Sequence, residues 1–284
     1  MSFSVGIIGL PNTGKSTLFK ALTKKQVDIA DYPFTTIDPN VGTVPVPDLR
    51  LEKIADIVKP EKITPTIIKF IDIAGLVENA HKGEGMGNQF LSHIRPCDAI
   101  IEVVRCFDQN NNPKESIEII DNELKMKDQE LEDNVLNSKP KIYLFNIKED
   151  NINLPEIKNS LAIDLKTESE INDLSPEEVE ELKIQSKLDE LILACYNILN
   201  LITFFTTTGG KEVRAWTIKK GSDIITAAAK VHTDFAQKLI KADVLDCQEL
   251  IKSGSWNKAR ELGKIKLASK EYIVQDGDIL EFKI

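Results

Sequence analysis

Gly9-Leu10-Pro11-Asn12-Thr13-Gly14-Lys15-Ser16 is the stretch whose reading decides the fold. Upstream, Phe3-Ser-Val-Gly-Ile-Ile8 is a short apolar run that reads as a buried strand, and downstream Thr17-Leu-Phe-Lys-Ala-Leu-Thr23 reads as a helix. A strand, a G-x-x-x-x-G-K-S loop and a helix in that order form a phosphate-binding loop. Its glycines let the backbone curl so that successive N–H groups converge on phosphate oxygens, and the helix N-terminus behind them carries partial positive charge. The expected nucleotide contacts are Asn12, Thr13, Gly14, Lys15 and Ser16, with Thr17 at the helix start. Lys15 would reach the β- and γ-phosphates, and the Ser16 hydroxyl would ligate Mg²⁺.

A second signature lies where Thr66-Ile-Ile-Lys-Phe-Ile71, a strand by composition, runs into Asp72-Ile-Ala-Gly75. D-x-x-G behind such a loop supplies a carboxylate, Asp72, to hold Mg²⁺ through water, and a glycine N–H, Gly75, to meet the γ-phosphate. The intervening Asp31-Tyr-Pro-Phe-Thr-Thr36-Ile-Asp-Pro-Asn40 has two prolines and no apolar periodicity, so it reads as a loop. A threonine there can add a second hydroxyl to the metal shell; Thr35 and Thr36 both offer one, and Thr36 is favoured. Leu76 stands where many GTPases place the glutamine that orients the attacking water. Its side chain neither donates nor accepts, so hydrolysis is expected to be slow unless a cation, another segment or a partner completes the site. His81, within the glycine-containing stretch 78–88, reads either as a water-positioning group or as a solvated loop residue.

The third signature follows the strand Lys141-Ile-Tyr-Leu-Phe145. Asn146-Ile147-Lys148-Glu149 occupies the place of the N-K-x-D motif of GTPases. Ile147 replaces the lysine whose stem lies over the base, and Glu149 replaces the aspartate that accepts from guanine. Glutamate is still an acceptor, so guanine stays open, whereas adenine would call on backbone groups around Ile147.

Strand-like and helix-like segments alternate through residues 1–201: Val41–Val46 as an edge strand, Asp48–Val58 as a helix, Asp98–Val104 as a strand, Lys114–Asn137 as one charged helix or two short ones, and Leu161–Leu165 as a last strand. Ser175-Pro-Glu-Glu178 is a capping box that starts a helix, and the apolar stripe of that helix runs through Leu188, Leu191, Ile192, Cys195 and Leu199. This predicts an α/β domain with a doubly wound, mostly parallel sheet and the nucleotide at the strand C-termini. From Ile202 the pattern changes. Thr203–Gly210 and Glu212–Ile218 read as a hairpin, Ser222–Lys230 as a helix, and Lys264–Leu267, Glu271–Val274 and Ile279–Ile284 as strands. Residues 202–284 are thus expected to form a separate α+β module, with Trp216 and Phe235 in its core.

With 284 residues, 42% of them hydrophobic and 29% charged, the chain has room for two such domains. A net charge of −9 argues against nucleic-acid binding over the whole surface, and no sequence-specific DNA contact is expected. The segment from Thr203 onward carries 14 Lys and Arg against 11 Asp and Glu, so any such contact belongs there. Four scattered cysteines without a C-x-x-C pair fit reduced thiols in the cytoplasm better than disulfides or zinc. No run is apolar for long enough to span a membrane, and the first residues lack the basic and apolar regions of a secretory signal.

Together these residues resemble the Obg-like ATPase family, the YchF branch of the P-loop GTPase superfamily. The likeness is carried by Gly9–Thr17, Pro33–Asn40, Asp72–Leu76 and Asn146–Glu149, and in the last module by Lys211–Gly221, His232–Phe235 and Val274–Asp278. It implies a C-terminal TGS domain with a β-grasp, ubiquitin-like fold. It also implies ATP in preference to GTP, Mg²⁺ dependence, K⁺ near Asn12, and association with the ribosome, chiefly through the large subunit. Family members carry a long helical hairpin between the strands ending near residues 104 and 145. Here the interval, near 108–139, holds only a truncated insert. Asp164-Leu165-Lys166 stands in place of an expected Ser-Ala-Lys, and Lys114 where relatives can carry a histidine proposed for hydrolysis. Three functional readings follow: a slow ATPase cycling between two states, a nucleotide-gated binding protein with negligible turnover, and a GTPase that tolerates Glu149.

Overall fold

A computed structural model describes residues 3–24, 40–73, 93–108, 111–148, 154–171 and 186–284, together with Leu174, Ser175, Glu178, Val179 and Glu181. In chain order the elements are β1 (Phe3–Ile8), α1 (Lys15–Thr23), β2 (Val41–Pro45), α2 (Leu49–Val58), β3 (Lys62–Thr64), β4 (Ile67–Asp72), β5 (Ala99–Arg105), α3 (Pro113–Glu130), β6 (Lys141–Asn146), β7 (Ser160–Ile163), α4 (Leu165–Ile171) and α5 (Leu188–Ile198). Then come β8 (Leu201–Thr206), β9 (Glu212–Lys219), α6 (Ile224–Val231), α7 (Thr233–Lys238), β10 (Lys241–Asp246), α8 (Cys247–Ser253), α9 (Trp256–Glu261), β11 (Lys266–Ala268) and β12 (Asp278–Lys283). They fall into two compact units, one of residues 1–45 and 67–199, the other of 46–66 and 200–284.

The first unit is built on a sheet of order β2-β4-β1-β5-β6-β7. Val5, Ile7 and Ile8 of β1 are fully buried, as a strand flanked on both edges and covered on both faces requires. All neighbours pair in parallel except β2, which runs antiparallel to β4 at the edge. There Pro45, without an N–H, leaves no ladder bond unmade. β2 and β4 fill one side of β1, and β5, β6 and β7 fill the other, so the crevice outside the strand C-termini opens beside β1.

Between β5 and β6 the described residues form one helix and a turn. Asn112 caps α3 by accepting from the Lys114 N–H at 3.2 Å, and Pro113 takes the first helical position, where its missing N–H costs nothing. Ile117, Ile120 and Leu124 are buried, packing in the clusters that contain Ile100 and Val104 of β5. After α3, the buried Asp128 carboxylate accepts from the N–H groups of Leu136 (2.9 Å) and Asn137 (2.8 Å), which folds residues 131–140 tightly back toward β6. The capping box closes as written: Ser175 N–H donates to Glu178 Oε2 at 2.7 Å, and Glu178 N–H to Ser175 Oγ at 3.3 Å.

The second unit has a mixed sheet of order β11-β10-β12-β8-β9-β3. β8 and β9 form the expected hairpin, and β12 lies parallel to β8 in the centre, as a β-grasp fold requires. Phe204 and Phe205 are adjacent and both fully buried, so both faces of the sheet are covered. Phe204 packs with Ile224, Ala227 and Ala228 of α6, and Trp216 and Phe235 lie against the same cluster. Phe205 packs with Leu51 and Ile54 of α2 and Leu250 of α8.

Three features differ from the sequence reading. Residues 46–66 belong to the second unit, because β3 pairs with β9 and the apolar stripe of α2 is buried against that sheet. β10 is a strand that the reading left out. Residues 271–274 do not form a strand; they contribute one bridge, Asp223 to Ile273.

Candidate nucleotide site

The loop after β1 owes its shape to residues that tolerate unusual backbone angles. Asn12 adopts φ 60°, which asparagine visits more readily than most residues. Gly14 adopts φ 107° and ψ 13° and caps α1 without a side chain, leaving the first turn of the helix open to an anion. A Cβ on Gly14 would fall 2.5 Å from Asn146 Nδ2, so glycine is required for packing as well as for conformation.

Asn146, at the end of β6, is buried and ties two segments together. Its Nδ2 donates to the Thr13 carbonyl at 2.9 Å, and its Oδ1 accepts from Leu165 N–H at 3.3 Å. The residue read from sequence as a base contact therefore braces the phosphate loop against the start of α4. Thr13 Oγ donates to the Leu10 carbonyl at 3.0 Å, and the Lys15 ammonium donates to the same oxygen at 2.9 Å. Burial pulls Lys15 below its ordinary pKa, against the opposing pull of Asp72.

Ser16 and Asp72 meet across the crevice, Ser16 Oγ donating to Asp72 Oδ2 at 3.3 Å. Asp72 is held at the last position of β4, where its N–H donates to the Asn40 carbonyl at 2.9 Å. A hydroxyl and a carboxylate side by side are hard oxygen donors, the set that Mg²⁺ takes with water and phosphate. The structure thus brings together Asn12, Thr13, Gly14, Lys15, Ser16, Thr17, Asp72 and Asn146. Thr36, Gly75 and Glu149, with Leu76 and His81, lie outside the described residues. Ile147 lies in the core of the domain. Its side chain is buried in the cluster of Val104, Cys106, Ile117 and Phe145, and its N–H donates to the Ile163 carbonyl at 3.1 Å. A side chain there cannot lie over a base.

One group behind the loop escaped the sequence reading. Glu102 of β5 is the register partner of Ile8, the residue before Gly9, and is fully buried. Its Oε2 lies 3.3 Å from Lys141 Nζ, which also pairs with Asp121 of α3. Desolvation pushes the Glu102 carboxyl up to about 7, against the pull of Lys141. Its signal in the sequence was a single charge within the apolar run 99–104, near a lysine on the neighbouring strand.

Residues 201–284 match the family model of the YchF GTPase C-terminal region, described as "Protein of unknown function (DUF933)", and residues 4–147 match one described as "50S ribosome-binding GTPase". The chain is 39% identical to the ribosome-binding ATPase YchF of Bacillus subtilis over 100% of its own length and 99% of that protein. The chain belongs to the YchF family. The Haemophilus influenzae YchF is likewise 39% identical (100% and 99% covered), and that of Escherichia coli O157:H7 is 38% identical (99% of each). Among solved structures, the Schizosaccharomyces pombe YchF GTPase superposes with a TM-score of 0.84 at 30% identity, covering 99% of this chain and 98% of that one. The three bacterial alignments run over 364, 361 and 360 positions. This YchF-family chain has 284 residues, so the relatives carry segments with no counterpart here.

Proposed function

We propose that this chain binds ATP and hydrolyses it slowly in a Mg²⁺-dependent cycle that governs association with the ribosome. The observation that carries the reading is the pairing of Ser16 with Asp72 at 3.3 Å beside a glycine-shaped loop and a buried lysine. In the cycle, the Lys15 ammonium exchanges the Leu10 carbonyl for phosphate oxygens, a stronger, charge-assisted partner. Ser16 and Asp72 would hold Mg²⁺, with Thr36 adding a second hydroxyl; when bound, the ion neutralises charge on the β- and γ-phosphoryl oxygens. Gly75 would donate its N–H to the γ-phosphate. Leu76 offers no hydrogen bond to water, which supports slow turnover and assigns K⁺ near Asn12 an accelerating role.

ATP is favoured over GTP by Ile147, whose burial removes the side chain that would cover guanine, and by what the bacterial relatives are called, ribosome-binding ATPase. The fungal structure is titled a GTPase, so the base is the point to test. Ribosome association, through the large subunit, rests on the relatives' names and on the ribosome-binding GTPase model. Among the described residues, no helix is long and apolar enough to cross a membrane, and the proposed location is the cytoplasm. Paired titrations with labelled ATP and GTP in Mg²⁺, with K⁺ or Na⁺, followed by phosphate release, test the reading. Tighter ATP binding with K⁺-stimulated release is expected. Preference for GTP would overturn the assignment of the base, and tight ATP binding without release in either salt would leave a nucleotide-gated binding protein.

A further inference from the structure

The segment from Val46 to Thr66 is covalently part of the nucleotide domain's sheet at both ends, yet it folds as part of the C-terminal unit. β2 delivers the chain to it and β4 takes the chain back, and these strands are paired from Val41↔Ile71 through Pro45↔Ile67. One end of this two-stranded ribbon is Asp72, bonded to Ser16; the other end opens directly into Val46 and Thr66, whose N–H and carbonyl bond at 2.9 Å. The ribbon is about 13 Å long at the usual rise per residue. β4 is paired with β1 as well, from Phe3↔Ile68 to Ile7↔Asp72, so the β2–β4 pair moves together with β1, and a shift of these strands at Asp72 is carried to Val46 and Thr66.

Within the C-terminal unit the segment is fastened in three ways. β3 pairs with β9, and the buried Thr64 hydroxyl donates to Glu212 Oε1 at 2.6 Å. Leu51 and Ile54 of α2 are buried with Phe205, Val213 and Ile279. Arg50 forks between Asp48 of its own segment and Asp276 of the turn before β12, at 2.7 Å each, and Asp276 Oδ1 also accepts from Thr203 N–H at 2.9 Å. Arg50 is 26% and Asp276 51% exposed, so the Arg50–Asp276 arm of the fork can open without unfolding the core beneath it.

We propose that residues 46–66 are a coupling strap: occupancy of the nucleotide site, read at Asp72, changes the closure of the Arg50 clasp and the β3–β9 ladder in the C-terminal unit. The inference rests on the nucleotide-binding reading above. By linkage the effect is reciprocal, so loosening the clasp changes nucleotide affinity.

The test uses the full chain. A fluorescent-nucleotide titration first sets saturating Mg²⁺-ADP and a Mg²⁺-bound non-hydrolysable ATP analogue. Hydrogen exchange is then followed at the amides of residues 62–64 and 212–219 with and without each nucleotide. Saturation is expected to change exchange in these strands by about fivefold or more, the lower range of allosteric coupling. Arg50→Lys keeps the charge but loses the fork, and Thr64→Val removes a hydroxyl at nearly constant volume. In either variant, shown folded by circular dichroism, the nucleotide-dependent change should shrink to less than half and the nucleotide Kd should shift by about fivefold. Saturation without any change at these amides would overturn the strap, as would two folded variants whose response and Kd match the parent. Failure of nucleotide to bind at all would overturn the functional reading and this inference with it.

Discussion

Asn146→Ala is the substitution that most directly separates a brace from a base contact. It removes the donor to Thr13 O at 2.9 Å and the acceptor for Leu165 N–H at 3.3 Å, in a position only 7% exposed. A buried polar group left without its partner costs about 1–3 kcal/mol, and the longer bond belongs at the low end, so the expected loss is about 2–4 kcal/mol. At a urea slope of about 2–3 kcal/mol/M, that lowers the unfolding midpoint of the nucleotide domain by about 0.7–2 M. Because the freed Thr13 carbonyl no longer fixes the loop, nucleotide affinity should fall about tenfold, the equivalent of about 1.4 kcal/mol. The assay is urea unfolding by circular dichroism beside a fluorescent-nucleotide titration. A variant that loses affinity while keeping the parent midpoint would refute the bracing role and return Asn146 to the base.

Three further outcomes follow from the same geometry. Gly14→Ala places a Cβ 2.5 Å from Asn146 Nδ2 at φ 107°, and should abolish measurable nucleotide binding while costing about 1–3 kcal/mol in the same unfolding assay. Ile147→Lys tests the base reading: it buries an ammonium among Val104, Ile117 and Phe145, so it should lower stability by about 3 kcal/mol or more without creating a preference for GTP in competition titrations. Glu102 is protonated more readily in the folded chain than in the unfolded one, so stability should fall as pH rises from the ordinary carboxyl range near 4.5 through about 7. Glu102→Gln should flatten that slope in unfolding experiments run between these pH values, and an unchanged slope would show that Glu102 is not its source.

Local signals in the sequence carried most of the nucleotide domain. The loop between β1 and α1, the Ser175–Glu178 capping box and the stripe of α5 are decided by residues three or four apart; the loop and the box lie where the pattern puts them, whereas the stripe belongs to a helix that begins only at Leu188 and ends at Ile198, before Leu199. The C-terminal unit was less legible because its pairings are long-range. β10 hides behind Asp243, an acidic residue buried within the strand, because its charge is met by Lys283 at 2.6 Å and Arg260 at 3.6 Å from elsewhere in the chain. β3 is three residues long and flanked by prolines, and its partner lies far downstream. The α2 stripe was visible, but periodicity names a buried face without naming what covers it. At the site, the chemistry of Lys15, Ser16 and Asp72 could be read from type and spacing. The bracing role of Asn146 and the burial of Ile147 depend on how β6 meets α4 and α3, which spacing does not encode.

The pairing of β3 with β9 also bears on how the chain is made. On a ribosome, β3 emerges about 150 residues before its partner strand, an interval of about 8–30 s at ordinary elongation rates. Throughout it, Leu51, Ile54 and Thr64 have neither sheet nor helix to cover them, and the nucleotide domain is completed on either side of them before their own sheet exists. The C-terminal unit therefore completes its core only once β12 has been made, with an early segment held in reserve. A chain released short of β9 would carry that uncovered face as a site for chaperone capture or aggregation.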